Sequence, residues 1–451
     1  MAYIAPFRAL RYDPQRVSLQ NVVTQPYDKI TPEMREAYYA ASPYNLVRII
    51  LGKPDAADAS GNTPYTRASQ SFHAWRREGI FLQEAVPSIY LYAQEFMVPG
   101  TKQKRERRGF IALGRVEDYS AQVVFRHEQT LSKPKADRLE LLRSTRAHFG
   151  QIFMLYSDPA NEIEGILSTD MPPDGEVHDE YGVRHRIWKV SDPAILNLVQ
   201  GKMKDKKLVI ADGHHRYETA LNYRNERRAS VSSSTVGIPR QYSSQELKNT
   251  QDDEIAPYEL AMMTFVNMDS PGVVILPTHR VVHGLGSFSM ENFAAAAAKY
   301  FSVRKINETM DASRATALLR EAATGGPALL AAAKDGNVIL EKPKAMGPDI
   351  FAGLSTRQQA LDVVQLHKCV LERVLGLSED SIRNQENIRY VRETGEALSE
   401  VYSGLADVVF LMNPARIEQV RDIAFAGEVM PQKSTDFFPK LLSGFTIYAL
   451  D

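Results

Sequence analysis

Cysteine is almost absent from this chain. Cys369 is the only one among 451 residues, so neither an intrachain disulfide nor a zinc site built on cysteines can form. That suits a reducing cytosol. Surplus charge is absent too: 54 basic residues face 55 acidic ones, a formal net charge of −1. The balance gives no support to a general nucleic-acid or membrane-surface role. No apolar run approaches the roughly 18 residues of a membrane span, and Met1-Ala-Tyr-Ile-Ala-Pro-Phe-Arg lacks the basic-then-apolar order of a signal peptide. A soluble, cytoplasmic protein without membrane partners is expected. Also missing are the Gly-x-x-x-x-Gly-Lys-Ser/Thr loop, the Gly-x-Gly-x-x-Gly fingerprint and the kinase His-Arg-Asp signature, so any nucleotide here sits in none of the common cradles.

What is present centres on residues 208–220. Leu208-Val-Ile-Ala is a short apolar run with the β-branched content of a buried strand. Asp212-Gly213 breaks it, and His214-His215-Arg216-Tyr-Glu-Thr-Ala continues with helical composition. A strand that turns through glycine into a helix aims the helix's first N–H groups, and roughly half a unit of positive charge, at whatever lies beyond the strand's end. Two histidines and an arginine in the same turn complete the outline of a phosphate cradle.

A second chemical stretch lies at 124–146. His127-Glu128 is not a zinc-protease helix, since that pattern needs a histidine at 131, where Leu131 stands. A carboxylate beside an imidazole can instead serve as a general base. Further on, Thr278-His279-Arg280 places polar groups at the end of an apolar run, and Lys433-Ser434-Thr435 presents an ammonium and two hydroxyls in a polar turn.

Periodicity and turn chemistry predict helices over 31–39 (Thr31 as N-cap, Pro32 next), 66–78, 135–146, 194–202, 289–300, 312–323, 358–374 and 414–426. Strands are expected at 42–51 after a turn, 87–96 and 107–114 as a hairpin with a basic tip at 102–108, 152–156, 185–190, 259–268, 273–282, two between 327 and 340, 408–412 and 444–450. Residues 227–252, polar and without apolar rhythm, read as a loop or lid.

Three motifs in one order resemble known families. The Asp-Gly-His-His-Arg-Tyr-Glu-Thr-Ala turn, with His127-Glu128 and Asp137-Arg138 upstream and Pro277-Thr-His-Arg280 downstream, resembles a broad bacterial and archaeal family labelled as a domain of unknown function. The order His127-Glu128, Asp212 to Arg216, then Gly427-Glu-Val429 with Lys433-Ser-Thr435, is similar to archaeal free-serine kinases of the ParB/sulfiredoxin-like fold. The resemblance implies an α/β (α+β) protein with a ParB/sulfiredoxin-like catalytic core and a cleft between two lobes. Segments 1–283 and 346–451 would be the catalytic and substrate-binding lobes, and a composition shift near 284, with many alanines and no clustered His or Arg, marks 284–345 as an accessory α+β unit. The resemblance implies phosphorylation of free L-serine with Mg²⁺ and ATP or ADP, the donor being left open. Glu128 would be the base, and Asp212 would assist at the reacting centre or hold the metal. Gly213, His214, His215, Arg216 and His127 would grip phosphates, and Lys433, Ser434, Thr435, Thr278, His279 and Arg280 would contact the acceptor. The chain departs from those kinases in its length, in Phe437 and in Tyr217. Two other readings stay open: a ParB-like nucleotide-binding switch that attaches to DNA or a protein, and a metal-dependent hydrolase ligated by His214, His215, Glu128 and His279.

Overall fold

The computed structural model describes residues 1–55, 58, 61–129, 133–234, 255–308, 310–347 and 349–451. The chain is a mixed α/β protein that divides into two compact units. The first comprises Met1–Phe125, Thr130–Val274 and Pro439–Asp451; the second comprises Arg126–Gln129 and Ile275–Phe438. The expected boundaries at 284 and 346 fall inside the second unit, and the stretch after 438 returns to the first.

The first unit is built on a nine-stranded mixed sheet. Across it run Val124–Phe125, Leu208–Asp212, Ile152–Tyr156, Leu260–Asn267, Lys104–Arg115, Ile89–Met97, Arg184–Val190 and Gly175–His178, with Ile4–Ala5 alongside Lys104–Arg115. Leu208–Asp212 lies parallel to Val124–Phe125 and antiparallel to Ile152–Tyr156. The Leu260–Asn267 strand is buried along its whole length, as a strand covered on both faces must be. Phe265 stacks on Phe110 at 5.2 Å between ring centroids, within the core that also holds Ile210, Met154 and Tyr217. The Pro64–Arg77 helix, begun by a reciprocal cap between Thr63 and Thr66, contributes Phe72 and Trp75 to a second core with Phe81 and Phe149.

Several local expectations change. Residues 42–51 do not become a strand: Val47–Ile50 is a short helix whose apolar side chains are buried beside the Pro64–Arg77 helix. Leu46 to Leu51, six residues apolar but for Arg48, carry no decisive period, and packing decided it. The basic 102–108 stretch is mostly strand rather than tip, since Lys104–Arg115 is continuous and Arg107 is buried. The expected closing strand at 444–450 reduces to Tyr448–Ala449. The cradle helix runs on from His214 to Ser234, so the predicted loop at 227–252 begins as helix and its part beyond 234 lies outside the described residues.

In the second unit, a six-stranded antiparallel sheet runs Ser302–Ile306, Gly336–Glu341, Ala328–Ala333, Val408–Met412, His279–Val282, Ile388–Val391. The expected single strand at 273–282 is broken at Pro277, which cannot donate to a ladder. Helices Met290–Ala297, Ala312–Ala322 and Thr394–Tyr402 pack on this sheet. Among the described residues no helix is long and apolar enough to cross a membrane.

One anchor beneath the cradle helix is open to direct test. Tyr217 is fully buried, donates its hydroxyl to the Glu117 carbonyl at 2.7 Å and accepts from the Glu117 N–H at 2.9 Å. Tyr217→Phe leaves two polar backbone groups without that partner and is expected to lower stability by about 1–3 kcal/mol. Urea denaturation measures it, and an unchanged midpoint would refute the anchoring role.

Candidate functional site

The turn in the first unit forms as its sequence demands. Gly213 adopts φ of +88°, a backbone that an L side chain resists. A bulge between Ile210 and Asp212 re-aims the strand's end, and the Tyr217 N–H closes the first helical bond onto the Gly213 carbonyl at 2.9 Å. Asp212 is partly exposed. Arg216 donates to its Oδ2 at 2.8 Å, and the Lys440 ammonium lies 3.5 Å from Oδ1. Burial pushes the Asp212 pKa up, but Lys440, Arg216, Lys29 and His214 outweigh it and hold the carboxyl well below the ordinary range.

Arg216 is tied further to the Gln151 carbonyl. Arg107, buried against Phe153 at 4.6 Å and bonded to Gln94, also feels the Asp212 charge; burial lowers its pKa to about 9, so it is still a cation at neutral pH. One carboxylate therefore stands among several cations, an excess of positive charge that an anionic ligand balances. Sequence reasoning named Asp212, Gly213, His214, His215 and Arg216 and gave no sign of Lys440, Lys29 and Arg107. Each comes from a distant part of the chain with no motif around it.

Because the folded-state pKa of Asp212 is depressed, its ion pairs stabilise the fold fully above about pH 4 and lose that contribution as pH falls through the folded value. Asp212→Asn is expected to cost about 2 kcal/mol at pH 7, the scale of hydrogen bonds to a charged group. The gap from wild type narrows below about pH 4. Denaturant titrations at both pH values test this, and a gap independent of pH would refute it.

His127, Glu128 and the 433–435 segment belong to the second unit and meet there. The stretch around Glu128 runs parallel to Met430, whose N–H donates to the His127 carbonyl at 2.8 Å. Glu128 Oε1 accepts from the Lys433 N–H at 2.7 Å, and Oε2 accepts from the Thr435 hydroxyl at 3.3 Å. His127 is fully buried, with Nε2 2.8 Å from the same hydroxyl and its ring edge-on to Phe437. Burial raises the Glu128 pKa, while the bonds from Lys433 and Thr435 pull it back only in part. A carboxylate of raised proton affinity is what a general base requires.

The loop that grips this carboxylate is itself held. Lys433 has φ of +59°, and Arg280 donates to its carbonyl at 3.1 Å. Arg280 is buried beneath Tyr390, with the guanidinium 4.9 Å from the ring centroid, and its Nε has no hydrogen-bond partner among the described residues. The Thr278 carbonyl is one of its acceptors. Ser434 is turned inward, its hydroxyl donating to the Pro431 carbonyl at 2.5 Å, whereas the Lys433 side chain is exposed. His279 is spent on structure. Its Nδ1 accepts from the Met412 N–H at 3.3 Å, its Nε2 lies 3.0 Å from the Thr394 hydroxyl, and burial holds its pKa near 3. Among the described residues no group of three or more His, Cys, Asp or Glu is arranged to hold a metal ion.

The family described as "Protein of unknown function (DUF1015)" matches residues 4–364. No curated protein matches the sequence. Three solved structures are similar over most of the chain. A free serine kinase in complex with AMP is 15% identical, covering 70% of this chain and 83% of its own, at a TM-score of 0.34. A conserved hypothetical protein from Pyrococcus furiosus is 13% identical, covering 70% and 87%, at 0.33. SbnI with a C-terminal truncation, from Staphylococcus aureus, is 10% identical, covering 74% and 85%, at 0.32.

Proposed function

We propose that this chain, which belongs to the DUF1015 family, transfers the terminal phosphoryl group of ATP or ADP to the hydroxyl of a small acceptor, free L-serine being the acceptor that its motifs imply. The observation that carries the reading is the charge at the Gly213 turn, where Arg216, Lys440, Lys29 and Arg107 surround a single carboxylate. Phosphoryl transfer asks little of a protein beyond positioning and neutralisation of phosphate charge, and this turn supplies both.

In this reading the amide-rich start of the His214–Ser234 helix, with Arg216 and Lys440, holds the donor's phosphates. Glu128 takes the proton from the acceptor hydroxyl as its oxygen bonds to the terminal phosphorus and the bridging P–O bond breaks. The nucleotide leaves with the freed oxygen. Lys433 and Thr435 orient the base and contact the acceptor, and Arg280 keeps the 433 peptide in place from its other side. Asp212, ionised and partly exposed, fits the single-carboxylate role that Mg²⁺ sites on nucleotides use, with phosphate and water completing the shell. That ion would neutralise charge on the transferring group. A ParB/sulfiredoxin-like core and a cytoplasmic setting belong to the same proposal.

The test is direct. The pure protein is incubated with ATP or ADP, Mg²⁺ and a panel of hydroxyl-bearing amino acids, and phosphomonoesters are read by ³¹P NMR. O-phosphoserine is expected. Nucleotide binding with no phosphoryl acceptor in the panel would sink serine and favour a nucleotide-controlled switch.

A further inference from the structure

A row of buried polar side chains crosses the sheet of the first unit and ends at the cations of the Gly213 turn. Three neighbouring strands set His185, Gln94 and Arg107 directly opposite one another, so they share one face of the sheet. All three are at most 1% exposed. His185 Nε2 lies 3.1 Å from Asp179 Oδ2, and its Nδ1 lies 2.6 Å from the Tyr92 hydroxyl and 3.3 Å from Gln94 Nε2. Gln94 also donates to the Lys440 carbonyl at 2.7 Å and accepts from Arg107 Nε at 3.0 Å. Arg107 bonds on to the Pro439 carbonyl, and the Leu442 N–H donates to the Tyr92 hydroxyl at 3.3 Å. None of the steps above uses Asp179, His185, Tyr92 or Gln94.

The partners leave one arrangement of protons. Arginine can only donate and a carbonyl can only accept, so the Gln94 oxygen faces Arg107 and its NH₂ faces Lys440 and His185. His185 Nδ1 must then accept, and the ring's single proton sits on Nε2, facing Asp179. Burial is the largest influence on His185 and lowers its pKa, so the ring is neutral at pH 7. Burial would raise the pKa of Asp179, but the bonds from His185, the Val183 N–H and Gln25 outweigh it and keep the carboxylate ionised. The hydrogen bonds therefore have one polarity, from Asp179 through His185 and Gln94 to Arg107 and the segment that carries Lys440.

We propose that Asp179 and His185 are positioning residues for the phosphate site: the tautomer they set fixes the Gln94 amide and, through it, Arg107 and the backbone of Lys440. The inference rests on reading the Gly213 turn as a phosphate site and goes beyond it, since a carboxylate that touches no ligand would then strengthen the binding of an anion.

Asp179→Asn separates this role from charge. Asp179 Oδ1 accepts from the Tyr181 and Val183 N–H groups, both at 2.9 Å. The asparagine oxygen keeps that position, so its NH₂ turns to His185, which must move its proton to Nδ1. That N–H faces the NH₂ of Gln94, and the amide is pushed away from Lys440 and Arg107. Removing a negative charge near the site would by itself tighten anion binding, whereas the relay weakens it. Calorimetry on the full chain with inorganic pyrophosphate is expected to show about tenfold weaker binding in Asp179→Asn, the scale of one lost hydrogen bond to a charged group. In ¹⁵N NMR of ring-labelled histidine, the His185 signal is identified by its loss in His185→Gln. Its proton is expected on Nε2 in the wild type and on Nδ1 in Asp179→Asn. Equal or tighter pyrophosphate binding in Asp179→Asn overturns the proposal, as does weaker binding with the tautomer unchanged. A wild-type proton on Nδ1 overturns it even if the variant does not fold. A wild type with the expected tautomer that binds no pyrophosphate overturns the phosphate reading of the Gly213 turn, and the positioning role with it.

Discussion

Glu128→Gln is expected to lower turnover of L-serine by about 10²–10⁴-fold, the range a general base contributes. The substitution keeps the shape and one oxygen that can accept from the Lys433 N–H, while its NH₂ stands where Oε2 accepted from Thr435 and can donate to that hydroxyl instead, so nucleotide affinity is expected to stay within about twofold of wild type. The pH profile carries a second signature. Burial raises the pKa of Glu128, and a base works only when deprotonated. Activity should therefore fall on the acid side at a pH above the roughly 4.3 of an ordinary glutamate. A kcat profile flat down to that value, or a Gln variant with wild-type turnover, removes Glu128 from the chemistry. Loss of turnover with an equal loss of nucleotide affinity would instead mark it as a structural residue.

Gly213→Ala is expected to weaken nucleotide binding by about 10–100-fold, since each 1.4 kcal/mol is a factor of ten. Two effects combine. At φ of +88° a Cβ is strained by about 1–2 kcal/mol. The same Cβ lies 2.9 Å from Arg216 Nε, so the guanidinium must move away from Asp212 or from the ligand. Gly100→Ala is the control, because Gly100 also has positive φ but nothing within 4 Å of its Cβ. It should cost similar stability with no change in affinity. Equal affinities for the two variants would show that the Gly213 turn does not hold the phosphates.

The turn at Gly213 was legible because its signals are local. An apolar β-branched run, a glycine at the corner and helical composition afterwards suffice to place Leu208–Asp212, Gly213 and the following helix. The Pro32–Ala41 helix was legible for the same reason, its Thr31 cap accepting from the Met34 N–H at 3.2 Å. What failed was decided by partners remote in sequence. Val47–Ile50 looked like a strand until the Pro64–Arg77 helix gave it an apolar surface to lie on. The composition shift near 284 suggested a separate unit, yet Ala328–Ala333 pairs with Val408–Met412, which also pairs with His279–Val282. His279 looked like a site residue because polar groups at a strand end often are; its two ring nitrogens are instead bonded within the second unit. Lys440 sits in an unremarkable stretch, and only the fold reveals that it faces Asp212.

The return of residues 439–451 to the first unit has a kinetic side. Ser443 exchanges backbone hydrogen bonds with Thr24, Leu10 does the same with Ile447, and Lys440 completes the charge around Asp212. A ribosome must therefore deliver the entire 275–438 stretch before the first unit can close, so Leu10 and Thr24 wait without those backbone partners and Asp212 without Lys440. Nascent chains stalled before residue 439 should be protease-sensitive in the 1–125 region and gain protection once the final segment emerges.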